Sequence, residues 1–404
     1  MLALRYPSIL AEIQQMPVGI LPIVLEDKEL PILVVKAPKE YLLAAKIEKS
    51  LKIYLVTLNV ENINTLGLVT AFFDDEDEPL VIKTPLFLDD FSIVLFKLLR
   101  AGQVSVHFFD ELSRERLIYN SNVEIPNETE KKIDEISLLD FSFPNARAMI
   151  SDIEISFGTR TIVDNEQAIT ISLNDSVYAE DILIQDIRPD LHSYHGARGF
   201  SHTMLEREEP GTYQEEDIIQ CLLLVFSPKQ IYLSPKRIYD NEEVCDVLVV
   251  TDTQVLLVQA KDSPNIERIS RQKLLRKRNN VLSALKKATN QVKGAIGYYR
   301  RIKDRMEFFI NGERHSIETK SLEAKTLVVV KELFSDQYGE YSLLLLDVFR
   351  EKSVPCIALD YPEFHQFCSN LRGEEEFFDA YNTVMNHAAK HGEYPRLRFG
   401  LVNG

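Results

Sequence analysis

Apolar residues in the first 125 positions fall mainly in short runs separated by turn residues, a pattern typical of β-strands. One helix is expected over residues 91–99, where apolar positions recur at helical spacing before Ala101-Gly102. The expected strands are residues 19–25, 31–36, 52–60, 66–73 and 79–84, followed by a hairpin of 104–109 with 116–119. The pattern therefore predicts a β-rich (α+β) N-terminal module over residues 1–125. In the absence of a catalytic motif, its default role is binding, sensing or oligomerisation.

The next two segments are less regular. Residues 126–146 are polar and predict a linker, with a short helix near 130–138. Residues 147–210 predict a β-rich connecting region, and its expected strands are 153–157, 160–163, 168–173 and 181–187. A loop with His192, His195, His202 and Arg198 follows. Three histidines suggest zinc, but no fourth ligand has useful spacing, so a mobile loop near a site is favoured.

Residues 211–404 alternate between helical and strand patterns and predict an α/β domain. A helix is expected over 213–226, with Thr212 as its N-cap, and a strand over 230–239. A long helix over 266–302 with a break at Asn279-Asn280 is expected next. The remaining expected elements are strands at 325–331, 342–349 and 354–360 and helices at 362–371 and 374–390.

Residues 244–262 form the centre of this domain, as two apolar strands joined by a tight turn. If the turn is Asp252-Thr253, Asp246 lies directly opposite Gln259, with Cβ atoms roughly 4.5–5.5 Å apart. Side chains alternate along a strand, so Lys261 shares the face of Gln259. Both faces of the hairpin are otherwise apolar, as in a sheet covered on both sides. Since unpaired polar groups are costly to bury, three of them on one face indicate a site more than a stray acid.

Asp246, then Gln259-Ala260-Lys261 at the end of an apolar strand, resembles the PD-(D/E)XK nuclease superfamily, in the Gln-x-Lys variant of type IV restriction endonucleases. The resemblance covers about residues 210–370. It implies a restriction-endonuclease-like mixed sheet flanked by helices, with a core of helix, three strands, helix and strand. It also implies an acid on the first helix, which matches Glu215 best, with Glu216 as the competitor.

The implied chemistry is metal-dependent phosphodiester hydrolysis. Asp246, Gln259 and Glu215 would hold Mg²⁺ or Mn²⁺, and Lys261 would steady the attacking water or the developing negative charge. Gln259 replaces the commoner Glu and removes one negative charge from the metal site. We therefore expect metal binding to be weaker or to depend on Glu215 and the substrate phosphate. An inactive relative that only binds nucleic acid stays open.

The composition is that of an ordinary soluble protein, with 45% hydrophobic and 27% charged residues and a net charge of −16. Residues 266–305 are the exception: thirteen Lys or Arg against two acids give +11, so the other 364 residues carry −27. A local polyanion contact is expected there. The nucleic-acid-binding residues expected are Arg271, Lys273, Arg276, Lys277, Arg278, Lys286, Lys287, Gln291 and Lys293.

The function predicted by analogy is an endonuclease that cuts DNA in bacterial defence or restriction. RNA cleavage, a non-catalytic nucleic-acid-binding subunit and a structural interaction protein stay open. A homodimer is plausible by resemblance, and residues 1–125 are the expected surface for a protein partner. The sequence shows no long apolar run and no signal sequence, and its four cysteines are scattered. We therefore expect a cytoplasmic protein with reduced thiols and no membrane contact.

Overall fold

The structure is a computed structural model with two compact units. The residues described are 1–16, 18–25, 30–74, 79–178, 184–186, 193–197, 201–203, 205–209, 211–301 and 304–397. The first unit comprises Met1–Ile182, Met204–Glu206 and Asn265–Gln272, and the second comprises Leu183–Thr203, Arg207–Pro264 and Lys273–Gly404. The predicted mixed α/β class is confirmed, since helices and mixed sheets make up both units.

Helices occur in both units. In chain order, they are α1 (Leu2–Arg5), α2 (Pro7–Gln15), α3 (Lys39–Glu48), α4 (Asp90–Arg100), α5 (Asn127–Glu135), α6 (Phe143–Gly158), α7 (Ile162–Glu166), α8 (Gly211–Leu222), α9 (Glu267–Ser270), α10 (Leu274–Arg301), α11 (Tyr338–Lys352), α12 (Tyr361–Asn370) and α13 (Glu374–His391). Helices α1–α7 and α9 lie in the first unit and the others in the second.

A single eight-stranded sheet organises the first unit. Its strands are β1 (Gly19–Ile23), β2 (Ile32–Lys36), β3 (Ser50–Val60), β4 (Ile63–Phe72), β5 (Leu80–Pro85), β6 (Gln103–Phe109), β7 (Glu115–Glu124) and β8 (Ile169–Ser176). Their spatial order is β1-β2-β6-β7-β8-β3-β4-β5, and only the β2–β6 pair is parallel among these neighbours. The strands expected within residues 1–125 are confirmed, as is the helix at α4.

Apolar side chains alternate between the two faces of this sheet. Leu51 and Ile53 of β3 join the core formed with α3 and α4, whereas Tyr54 joins the core formed with α6. The sheet and α6 approach closely at Gly67, where an added Cβ would lie 2.4 Å from the side chain of Ile153. Any larger residue at this contact would therefore force the Ile153 side chain to move.

Two strands expected in the connecting region are wrong. Residues 153–157 belong to α6 and 160–163 extend into α7. Apolar residues at 153, 155 and 157 mimic the two-residue period of a strand, but the buried set at 149, 153 and 157 follows the four-residue step of a helix. The third expected strand forms β8, which lies between β7 and β3, so this segment completes the first sheet. The polar segment expected as a linker contains α5.

The second unit is built on a five-stranded sheet with the order β11-β13-β14-β17-β18. The remaining strands are β9 (Ile184–Asp186), β10 (Ser201–Thr203), β11 (Ile231–Leu233), β12 (Lys236–Arg237), β13 (Val247–Val250), β14 (Gln254–Lys261), β15 (Arg305–Ile310), β16 (Glu313–Glu318), β17 (Glu323–Val330) and β18 (Cys356–Asp360). β11, β13 and β14 are antiparallel neighbours, whereas β17 is parallel to both β14 and β18. β12, β15 and β16 form a separate three-stranded sheet, and β9 pairs with β10.

Several expectations for the second unit are corrected. The strand expected at 342–349 lies within α11, because an unbroken leucine run is compatible with a buried helix as well as a strand. The strand expected at 230–239 divides into β11 and β12 at Ser234, whose φ is +47°. The long basic helix is interrupted between α9 and α10 rather than at Asn279-Asn280, which lie inside α10. Helix α8 begins at Gly211, so Thr212 lies inside it rather than capping it.

Among the described residues, every helix is too short or too polar to cross a membrane.

Candidate active site

The hairpin of β13 and β14 has the register expected from its turn. Val247 pairs with Val258 and Val250 with Val255, so residue numbers across the pair sum to 505. Asp246 directly precedes β13 and falls opposite Gln259, and its backbone N–H donates to the carbonyl of Val258 at 3.2 Å. β14 is the central strand, between β13 and β17. The central strand of the sheet therefore carries Gln259 and Lys261, and Asp246 lies directly before its neighbour β13.

The Asp246 carboxylate receives two neutral hydrogen bonds on one oxygen. Gln259 Nε2 donates to Asp246 Oδ2 at 2.5 Å, and the Ala260 backbone N–H donates to the same oxygen at 2.6 Å. Asp246 is 8% exposed and Gln259 2% exposed. The side-chain pair is therefore fixed in place, with the amide group of Gln259 facing the carboxylate.

Burial raises the pKa of Asp246, and the charge of Glu243 raises it further. The Ala260 N–H, the positive charge of Lys261 and the Gln259 amide oppose this rise. Solvation therefore opposes the charged form of Asp246, and the two neutral donors and Lys261 offset this cost only in part. A cation placed beside Asp246 would relieve that cost.

A cavity of about 210 Å³ opens beside the carboxylate. Asp246 and Gln259 form one side of it, and Gln291, Gly294 and Tyr298 of α10 contribute another. Its further lining residues are Arg237, Glu242, Glu243, Val244, Cys245 and Ala295. The sequence-predicted pair and Gln291 are thus brought together around one space.

Lys261 is the last residue of β14 and is half-buried. It shares a face with Gln259 by strand alternation, and its charge acts on the pKa of Asp246. Among the described residues, it is not part of the cavity lining. Lys261 therefore lies near the carboxylate but beyond the cavity wall.

Glu215 is connected to the hairpin through a residue that the sequence pattern did not single out. Ser234 Oγ donates to Glu215 Oε2 at 3.3 Å, and the Ser234 backbone N–H donates to the Asp246 carbonyl at 2.8 Å. The competitor Glu216 is 9% exposed. Ser234 has a left-handed φ at the break between β11 and β12. This conformation directs its hydroxyl to Glu215 of α8 and its N–H to Asp246, directly before β13. The only available sequence signal was the Ser-Pro step at 234–235.

Glu243 is the main cavity residue that sequence reasoning missed. It lies three positions before Asp246 and acts on the pKa of that residue. The adjacent Glu242 is engaged by Arg237, whose Nη2 lies 2.5 Å from the Glu242 carboxylate. The acidic step Glu242-Glu243 just before an apolar strand was the signal that could have identified it.

The donor set suits a cation that binds through oxygen. Asp246 and Glu243 supply carboxylates, and rotation of the Gln259 amide would present its oxygen. Within the described part of the chain, no group of three or more His, Cys, Asp or Glu side chains is placed to hold a metal ion. An Mg²⁺ ion placed here would therefore take most of its ligands from water and substrate oxygens, which is how this ion is often bound.

The nine residues expected to bind nucleic acid separate into distinct groups. Arg278 pairs with Asp336 at 2.8 Å, and Lys293 pairs with Asp347 and Glu351 at 2.9 Å each. These two side chains therefore form ion pairs within the second unit. The acids come from residues more than forty positions away, so local sequence could not reveal them.

Arg271 lies outside α10 and belongs to the first unit. Its guanidinium pairs with Glu48 at 3.1 Å and with Glu267 at 2.9 Å. Lys277 is half-buried, whereas Lys273, Arg276, Lys286, Lys287 and Gln291 are exposed. The exposed members are the ones available for a polyanion.

The last candidates from the sequence are the histidines and Arg198 of the predicted loop, and the cysteines. His195 stacks on Tyr232 with ring centroids 4.2 Å apart, and burial lowers its pKa. His192 and Arg198 lie outside the described residues, as does the side chain of His202. All four cysteines are buried and free of disulfides, as expected for reduced core thiols.

Comparison with protein-family models, with curated proteins and with solved structures gave no significant match.

Proposed function

We propose that the chain is a metal-dependent endonuclease whose site is formed by Asp246, Gln259 and Lys261. The single observation that carries the proposal is the opposition of Asp246 and Gln259 across β13 and β14 beside an acidic cavity. Strand alternation adds Lys261 to the same face. An acid and an amide thus line a space large enough for a phosphodiester group and its metal ion, and the ammonium of Lys261 lies nearby, beyond the wall of that space.

The order of elements also supports the proposal. Apart from the short α9 and the separate sheet of β12, β15 and β16, helix α8 is followed by β11, β13 and β14, then by α10 and β17. This is the order of helix, three strands, helix and strand that the resemblance to PD-(D/E)XK nucleases implies. The parallel pairing of β17 with β14 places both strands in the same mixed sheet.

Each residue has a defined role in the proposed reaction. Mg²⁺ or Mn²⁺, when bound, would polarise the phosphate and lower the pKa of a bound water. Asp246 supplies the anionic oxygen, and Gln259 supplies a neutral oxygen once its amide rotates. Lys261 holds the attacking water or the developing phosphate charge by donating hydrogen bonds. Glu215 holds Ser234, and therefore acts as a positioning residue for Asp246 rather than as a metal ligand.

DNA is the proposed substrate, with RNA as the nearer alternative, since the exposed cations Lys273, Arg276 and Lys287 suit any phosphate backbone. A role in bacterial defence, pairing into a homodimer and recognition of a partner by the first unit are proposed by analogy with the same family.

A non-catalytic nucleic-acid-binding subunit is the second candidate. Gln259 directs its Nε2, a donor, at Asp246, which leaves the carboxylate partly satisfied without a metal. The Gln in place of the commoner Glu also lowers the negative charge available to a metal ion. This candidate predicts phosphate binding without cleavage.

The deciding experiment is cleavage of plasmid, single-stranded DNA and RNA with Mg²⁺, Mn²⁺ or EDTA. Lys261→Ala should lower the cleavage rate by about 10²–10³-fold, the usual effect of losing one charge-stabilising donor. Lys331→Ala, directly after the neighbouring β17, is the matched control and should cut like the wild type. Binding by all three proteins with cleavage by none would establish the second candidate instead.

A further inference from the structure

Helix α10 contains two glycines for which the fold gives no reason. Gly294 and Gly297 lie in its interior, where glycine is less stable than alanine. Both are exposed, and a Cβ added at either would meet nothing within 4 Å. No close packing against the rest of the chain therefore requires the absence of a side chain.

The two glycines differ in what they face. Gly294 lines the cavity that holds Asp246 and Gln259, whereas Gly297 is not among the described residues that line it. Gly297 lies about 4.5 Å further along the helix and ~60° around it, on the neighbouring part of the same face. Only Gly294 therefore leaves room beside the candidate active site.

A polar stripe leads along α10 to this glycine. The residues at four- and three-residue steps before it share one face of the helix. In order, they are Arg276, Asn280, Ser283, Lys287 and Gln291, and all are exposed. Lys286, by contrast, projects about 100° away from Lys287. The stripe spans about 27 Å between positions 276 and 294 at ~1.5 Å per residue.

We propose that a nucleic-acid strand lies along this stripe and passes over Gly294 as it enters the cavity. The inference rests on the nuclease function proposed above and names the path of its substrate. Arg276 and Lys287 would contact phosphates, with Asn280, Ser283 and Gln291 as neutral hydrogen-bonding partners. Gly294 would be the point of closest approach, where a side chain would displace the scissile phosphate from Asp246 and Lys261.

The length of the stripe also predicts the length of substrate recognised. A strand that rises ~3.4 Å per nucleotide would need about eight nucleotides to follow about 27 Å of helix. Affinity should therefore rise with oligonucleotide length up to about eight nucleotides on one side of the cut and then level off.

The test is to compare Gly294→Ala with Gly297→Ala. Each replaces a helix glycine in open space, so each should raise the Tm, by about 2–4 °C. Gly294→Ala should nevertheless lower single-turnover cleavage at least about tenfold, because a small displacement of the reacting group has a large effect on rate. Gly297→Ala should cut like the wild type. Equal cleavage by the two variants would overturn the proposed path.

A second pair of variants tests the stripe by binding in EDTA, without reference to cleavage. Lys287→Ala should reduce the slope of log affinity against log salt by about one, and Lys286→Ala by clearly less. Equal slopes would overturn the proposed contact between the stripe and phosphates. If the wild type neither binds nor cuts nucleic acid, the proposed function itself fails, whereas normal cutting by Gly294→Ala rejects only the path.

Discussion

The second unit contains two buried acidic clusters that differ in how the protein compensates their negative charge. One is Asp246 at the start of β13, and the other is the pair of Asp360 and Glu363 where β18 meets α12. Burial is the main cause that raises the pKa of Asp246 and, to about 7, that of Glu363. Solvation therefore opposes the charged form at both places.

The second cluster contains its own cation. Arg396 lies 3.5 Å from both Asp360 Oδ2 and Glu363 Oε1, and the Tyr338 hydroxyl donates to Glu363 at 3.2 Å. The Leu397 backbone N–H also donates to Glu363, at 3.1 Å. Side chains and backbone groups of the protein thus surround both carboxylates, and they connect residues 396–397 to β18 and α12. Such a cluster stabilises the fold.

The Asp246 cluster has neutral donors on its carboxylate, a half-buried Lys261 nearby and an acidic cavity. A charge left partly unsatisfied beside open space is a feature of functional sites more than of structural ones. The difference teaches that burial of an acid is not by itself a sign of function. What matters is whether the protein supplies the counter-charge or leaves room for one.

The largest expected effect concerns the structural cluster. Arg396→Met should lower the free energy of unfolding by about 3 kcal/mol, at the low end for loss of one partner of a buried ion pair because the Arg396 side chain is 37% exposed. Urea denaturation measures the loss. Arg372→Met, in the exposed turn before α13, is the control and should change stability little. An unchanged free energy of unfolding for Arg396→Met would break the comparison.

A smaller effect is expected in the pH dependence of stability. The pKa of Glu363 is about 7 in the folded protein against an ordinary 4.5, so the folded state holds a proton that the unfolded chain releases. The contribution of this residue to stability should therefore fall as pH rises from about 4.5 to 7. Glu363→Gln should flatten that part of the curve, and the exposed Glu375→Gln should not. A decline of equal slope in both variants would contradict the assignment.

Sequence patterns were most reliable where one short-range rule determined the structure. The register of β13 and β14 followed from the tight turn and the two-residue period, so the opposition of Asp246 and Gln259 could be predicted. The buried stripe of α8 at Ile218, Ile219 and Leu222 followed in the same way from helical spacing.

Long-range partners could not be predicted from the same patterns. Arg278 and Lys293 belong to a strongly basic run, yet their acids come from Asp336 and from α11. Ser234 and Glu243 reach the site because the chain breaks between β11 and β12 and then turns into β13. Local periodicity gives no information on such turns, and a continuous apolar run, as in α11, does not distinguish a helix from a strand.

The most direct test of the central claim is calorimetric titration of Mn²⁺ into the wild type, Asp246→Asn and Asp252→Asn. Asp252 lies in the exposed turn of the same hairpin and serves as the matched control. We expect Asp246→Asn to weaken Mn²⁺ binding at least about tenfold, a fall of ~1.4 kcal/mol in binding free energy, and Asp252→Asn to leave it unchanged. Because burial raises the pKa of Asp246, the Asn variant should also be no less stable than the wild type without metal. Equal Mn²⁺ affinity in all three proteins would contradict the assignment of Asp246 to a metal-dependent active site.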